Sequence, residues 1–186
     1  SSVYKISITG PESTGKSLLT EALAAHFGGI SVPEYAREYV ENLGRDYTYD
    51  DVCTIAKKQI EEIEFYDQQP DCRFVFFDTD LIITKVWFEY CYGKVPEFLT
   101  KAMERTHFDL FLLCAPDLPW IPDPVRENGN IRNLLFERYR AEIELTGTQY
   151  HIVTGSGIAR CQNAIKAVNT ITNCELQITD TSYLDT

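Results

Sequence analysis

Residues 10–17 read Gly10-Pro11-Glu12-Ser13-Thr14-Gly15-Lys16-Ser17, the spacing G-x-x-x-x-G-K-[ST], and no other stretch of this chain restricts its fold as much. The segment before it, Val3-Tyr4-Lys5-Ile6-Ser7-Ile8-Thr9, alternates and is rich in β-branched residues, so it reads as a strand. The segment after it, Leu18 to Phe27, carries apolar residues at helical spacing and stops at Gly28-Gly29. Strand, glycine loop and helix in that order form the unit that cradles phosphates.

The residue types explain the chemistry. Gly10 and Gly15 let the backbone turn inward around phosphate oxygens without a Cβ in the way. Glu12, Ser13, Thr14 and Leu18 belong to the same cradle, and the start of the helix adds a field that favours an anion. Lys16 is expected to reach the β- and γ-phosphates of ATP, and the Ser17 hydroxyl to ligate Mg²⁺.

Composition narrows the rest. The 186 residues suffice for one three-layer domain, expected to span 1–186. A formal net charge of −11 weighs against a nucleic-acid partner, which calls for a basic patch. It leaves ATP open, because a few local Lys and Arg residues suffice. No apolar run approaches the roughly 20 residues of a membrane helix, and no signal segment opens the chain, so a cytoplasmic protein without a membrane partner is expected. Six cysteines without a C-x-x-C pair read as reduced, mostly buried thiols rather than a zinc site.

Strands and helices alternate along the chain. Short strands are expected at Ile30–Val32, Phe74–Phe77, Leu110–Cys114 and Tyr150–Val153. Helices are expected over Tyr35–Leu43, over Asp50–Asp67 with Asp50 as cap, and from about Leu81 to Tyr92. Three more follow, over about Glu97–Glu104, about Ile131–Thr146, and from Gly157 to about Ile171. The tail from Cys174 reads as a short strand or a fraying end. The five apolar strands imply a parallel sheet covered by helices on both faces, an α/β three-layer P-loop NTPase fold of the nucleoside-kinase kind. Ligands then lie at the carboxyl ends of the strands.

Carboxylates at those ends separate the subclasses. Asp78 ends the third strand, where an acid holds Mg²⁺; Asp80 follows; Glu34 ends the second strand, toward a phosphate acceptor. One of them must take the proton of an attacking hydroxyl. Each also precedes a helix, so a capping role is the plain alternative. Arg37 lies one turn after Glu34, either in the acceptor pocket with it or in an i,i+3 ion pair on a solvated helix. Residues 116–132 hold four prolines and the arginines Arg126 and Arg132, which suits a lid that closes on substrate. Arg126 and Arg132 are candidates for stabilising charge on the transferring phosphoryl group, and Trp120 for facing the substrate; pairing with nearby acids is the alternative for the arginines.

With these residues on the page, a family resemblance follows. GPESTGKS at 10–17, PEYARE at 33–38, DTDLIIT at 78–84 and PWIPDPVR at 119–126 resemble, in order, the NadR-type family with its ribosylnicotinamide kinase domain. The resemblance implies transfer of the ATP γ-phosphate to the 5′-hydroxyl of nicotinamide riboside. It also implies Lys16 and Ser17 on phosphates and metal, Asp78 and Asp80 on metal or acceptor, and Arg126 in the lid. Pro33 and Glu61 stand where family members carry ring-stacking aromatics, which leaves the acceptor open. A kinase for another nucleoside or small alcohol, or a regulatory ATPase, are the other readings.

Overall fold

The computed structural model describes residues 3–69, 71–117 and 131–184. Five strands, β1 (Tyr4–Thr9), β2 (Ile30–Val32), β3 (Phe74–Asp78), β4 (Leu110–Cys114) and β5 (Tyr150–Val153), form one parallel sheet in the order β2-β3-β1-β4-β5. The helices are α1 (Lys16–Phe27), α2 (Tyr35–Glu41), α3 (Tyr49–Tyr66), α4 (Leu81–Tyr92), α5 (Glu97–Arg105), α6 (Ile131–Thr146) and α7 (Gly157–Leu184). The three-layer expectation holds.

Alternation along the central strands divides the core. Ile6, Ile8, Phe74, Phe76, Leu110 and Leu112 pack with α1 and α7, while Val75 and Phe77 meet α3, α4 and α5 on the other face. Phe111 and Leu113 meet α4 and α6 on that same face. A strand buried on both faces needs apolar residues at successive positions, which explains the unbroken runs in β3 and β4. β5 is an edge strand, and His151 and Ile152 are exposed there, so its apolar run is not buried as the sequence suggested.

Two further differences concern helix ends. Thr48, not Asp50, caps α3: its side chain accepts from Asp51 N–H, and the Asp51 carboxylate returns a bond to the Thr48 backbone. Three residues separate a capping pair of this kind, and Asp51 supplies the carboxylate that the pattern needs. The chain beyond Ile171 continues as helix to Leu184 instead of forming a strand or fraying. Among the described cysteines only Cys114 is buried, and Cys91 is exposed, contrary to the expectation of mostly buried thiols.

Two polar clusters fix the helices that flank the sheet's carboxyl edge. Asp51 accepts from Tyr39 Oη at 2.8 Å and from both Arg45 Nη atoms at 2.7 and 3.0 Å, tying α2 and its following turn to α3. These bonds, led by Arg45, hold the Asp51 carboxyl far below the usual carboxylate range. On the other side Glu142 of α6 accepts from Lys85 of α4 at 2.8 Å, and Arg138 pairs with Glu89. The second cluster holds α6 against α4.

Candidate active site

The phosphate-loop half is local. Gly15 stands at the N-cap of α1 with φ 74°, and Ser13 also takes a positive φ of 58°. Left-handed backbone at both positions bends the loop so that its N–H groups face one centre. Gly10 has φ 145°, and a Cβ there would lie 2.8 Å from the Cys114 carbonyl oxygen, so only glycine lets β1 pass this close to the end of β4. Thr14 Oγ1 donates to the Pro11 carbonyl at 2.7 Å, bracing the loop internally. Lys16 Nζ donates to the same carbonyl at 3.0 Å, so its ammonium lies folded along the loop. Glu12 and Leu18 are exposed on the loop and on the first turn of α1.

β1 and β3 are in register, with Ile8 opposite Asp78. That register carries Asp78 to the head of α1, where its Oδ2 accepts from Ser17 Oγ at 2.6 Å. Thr79, next along, holds φ 77°, which is costly for a β-branched residue. Its N–H bonds the Ile8 carbonyl at 2.9 Å and so fixes that conformation. The kink separates two acids: Asp78 faces the loop, while Asp80 turns back as the N-cap of α4, its Oδ1 accepting from Ile82 N–H at 3.0 Å. Of the three carboxylates, then, Asp80 follows the capping alternative. Asp78 caps nothing.

Glu34 follows β2 and stands at the N-cap position of α2 without a side-chain capping bond. Burial raises its carboxyl above the ordinary value and the Asp78 charge adds to that, while Lys16 and Arg37 act in the opposite sense. Arg37 Nε reaches Glu34 Oε2 at 3.4 Å, with the guanidinium side chain 43% exposed, so Arg37 serves as a rim partner of the acid. Asp80 is fully enclosed, and burial lifts its carboxyl to about 6 against the opposing pull of Ser7 and the first-turn N–H groups.

Beside these acids runs a cleft lined by Val32, Pro33, Tyr35, Gln59, Glu62, Ile63 and the segment 77–80. Sequence reading missed Tyr35, Gln59 and Glu62. Gln59 carried a signal: it interrupts the apolar stripe of α3 between Ile55 and Ile63, and its Oε1 accepts from buried Thr84 Oγ1 at 2.6 Å. Glu62 lies three residues beyond Gln59 on the same face. Glu61, the position singled out by the family comparison of motifs, is exposed and pairs with Lys58 instead. Tyr139 of α6 is buried against Ile82 and Val86 of α4; burial, and then the charges of Glu12, Asp80 and Glu34, raise its phenol.

Arg132 stands in the first turn of α6 and donates from Nη1 to the Ser13 carbonyl at 3.4 Å, so one of the two predicted arginines reaches the phosphate loop. Arg126 and Trp120 lie outside the described residues. The pair of buried Arg160 and exposed Asp117 was not foreseen. Arg160 donates to Asp117 at 2.9 Å and to the Gly155 carbonyl at 2.8 Å, locking the turns after β4 and β5 together. Among the described residues no group of three or more His, Cys, Asp or Glu forms a metal cluster. No helix of the described residues is long and apolar enough to cross a membrane.

Comparison with known proteins agrees with this geometry. A family model described as an AAA domain matches residues 5–160. The trifunctional NAD biosynthesis/regulator protein NadR of Escherichia coli (strain K12) is 32% identical over 145 residues, covering 73% of this chain. This chain spans only 35% of that relative's length. A solved structure of NadR protein in complex with NR superposes with a TM-score of 0.78 at 25% identity, covering 92% of this chain and 52% of that one. A thymidylate kinase from Ehrlichia chaffeensis shares the fold at TM-score 0.60 and 14% identity, over 92% of this chain and 100% of its own. The chain thus belongs to the P-loop family described as an AAA domain, and within it to the NadR type.

Proposed function

We propose that this chain is an ATP-dependent kinase that phosphorylates the 5′-hydroxyl of nicotinamide riboside, giving nicotinamide mononucleotide. One observation carries the reading: Asp78, bonded to Ser17 at the head of the phosphate loop, also lines a cleft that Asp80 and Glu62 share, with Glu34 in the chain between its lining residues Pro33 and Tyr35. A nucleotide switch needs the loop and an acid such as Asp78; it has no use for a cleft lined by further acids. The solved NadR structures, one with NR and one with NAD and AMP-PNP, support both ligand classes.

In this reading the loop from Gly10 to Ser17 and the first turn of α1 bind the ATP phosphates through backbone N–H groups. Lys16 leaves the Pro11 carbonyl and meets the γ-phosphate. Ser17 Oγ and Asp78 Oδ2, already 2.6 Å apart, are oxygen donors suited to Mg²⁺, which takes hard oxygen ligands and keeps waters and phosphate oxygens for the rest. The metal supplies charge neutralisation between the phosphates. Glu34 accepts the proton of the acceptor hydroxyl, whose oxygen forms the new bond to the γ-phosphorus as the bond to ADP breaks. Its raised pKa makes it a better base than an exposed glutamate. Arg37 orients that carboxylate, and Arg132 steadies the loop from α6. Arg126 and Trp120, outside the described residues, are assigned to the phosphoryl group and the substrate on the resemblance and the motif alone. Asp80 caps α4 and lines the cleft.

The experiment is ADP release from Mg-ATP with a panel of acceptors, nicotinamide riboside included, against Lys16→Ala. Stimulation by nicotinamide riboside, lost in the variant, is the expected result. Stimulation by a different nucleoside alone keeps the machinery and overturns the acceptor. Slow hydrolysis that no acceptor stimulates overturns the kinase reading.

A further inference from the structure

We infer that Glu62 makes this site select acceptors by charge, favouring a nucleoside whose base is cationic over one of the same shape whose base is neutral. The inference rests on the kinase reading above and adds a residue, and a recognition principle, that the motifs do not contain.

The cleft is lined by the end of β3, where Asp78 also meets Ser17 of the phosphate loop, and by Tyr35 of α2 with Gln59 and Glu62 of α3. A nucleoside has its 5′-hydroxyl and its base at opposite ends of the ribose. With the hydroxyl toward Asp78 and the phosphate loop, the base is left to the end at Tyr35, Gln59 and Glu62.

The chemistry of that end is specific. Tyr35 offers a ring, itself 6.0 Å from Tyr39, in a chain that carries Pro33 at the neighbouring motif position. Gln59 is held by Thr84 through its Oε1, and no hydrogen bond among the described residues uses its Nε2. Glu62 is partly buried, forms no ion pair among the described residues, and shares the cleft lining with two other charged side chains, Asp78 and Asp80, both acids. Burial raises its carboxyl, with Lys58 opposing, so an ionised Glu62 lacks the solvation it would have in water. A cationic ring restores that solvation in part; a neutral ring leaves it unmet.

The inner wall reinforces the preference. Asp78 and Asp80 also line the cleft, and Asp80 is only 2% exposed. Against these acids stand Lys16, committed to the phosphate loop, and Arg37, paired with Glu34. An acceptor bearing its own phosphate would meet repulsion here, and a cationic nucleoside attraction.

The test compares kcat/KM for nicotinamide riboside with that for its reduced dihydro form, which keeps the shape and loses the charge. Wild-type protein, Glu62→Gln and Glu61→Gln are measured, with melting curves to confirm folding. The expected result is a wild-type preference for the cationic form that falls by about tenfold in Glu62→Gln, the size of one partly screened charge contact. Glu61→Gln is expected to keep the wild-type preference. An unchanged ratio in Glu62→Gln, or a wild type that prefers the neutral form, overturns the inference and leaves the kinase reading standing. Turnover of neither compound overturns the proposed acceptor, and the inference with it.

Discussion

The two ends of the candidate site are built in different ways. The phosphate end comes from one continuous stretch, residues 10–18, plus a single acid brought over by strand register. The acceptor end is gathered from β2, α2, α3 and β3, with Gln59 fixed from α4. A phosphate is recognised by backbone N–H groups, so glycine placement suffices and the side chains of Glu12 and Leu18 stay exposed. An acceptor is recognised by side chains, and these depend on helix phase and tertiary packing. The first kind of site is stable to sequence change around it; the second changes its ligand when one residue shifts face.

Variants separate the two ends by the size and kind of their effects. Lys16→Ala should be the most damaging, lowering kcat by on the order of 10³-fold with the melting temperature almost unchanged, since Lys16 makes a single contact with a loop carbonyl. A large loss of stability would show that Lys16 holds the loop together. Glu34→Gln should lower kcat by about 10²–10³-fold while ATP affinity, measured by titration, is retained. The wild-type rate should rise with pH through a pKa above the usual glutamate value, because burial favours the protonated form, and Glu34→Gln should lose that limb. A weakened ATP affinity would move Glu34 from the acceptor end to the phosphate end.

A further prediction concerns stability. Asp80 titrates near 6 in the fold against an ordinary 3.8, so the folded state holds a proton that the unfolded chain has released. Stability is therefore lost as pH rises between those values, to at most about 3 kcal/mol above pH 6. Asp80→Asn keeps an N-cap oxygen and should raise the melting temperature at pH 7 more than at pH 4. Equal shifts at both values would contradict the buried-acid account. The smallest effect belongs to Glu61→Gln, on an exposed i,i+3 pair with Lys58, which should move stability by no more than about 0.5 kcal/mol.

The same contrast explains what could be read from the residues. Strands, helices and the phosphate loop follow from periodicity and glycine spacing, which are local, and they match the described elements closely. Asp78 could be placed because it ends a strand, and strand ends map onto one edge of a parallel sheet. Glu61 and Glu62 could not be told apart by matching motifs alone, since one residue turns a helical side chain by about 100°. Thr48 and Asp50 differ for a similar reason: the cap is decided by which carboxylate lies three residues on, and that is Asp51. Tyr139 packs on Ile82 and Val86 where Lys85 and Glu142 hold α6 against α4, a long-range pairing with no sequence signature.

The central claim is that the two ends act on one transfer. ³¹P NMR of the products formed from ATP and nicotinamide riboside tests it most directly. The account predicts ADP together with a new phosphate monoester whose signal is split by the two 5′ protons of the ribose. ADP accompanied only by inorganic phosphate would contradict it.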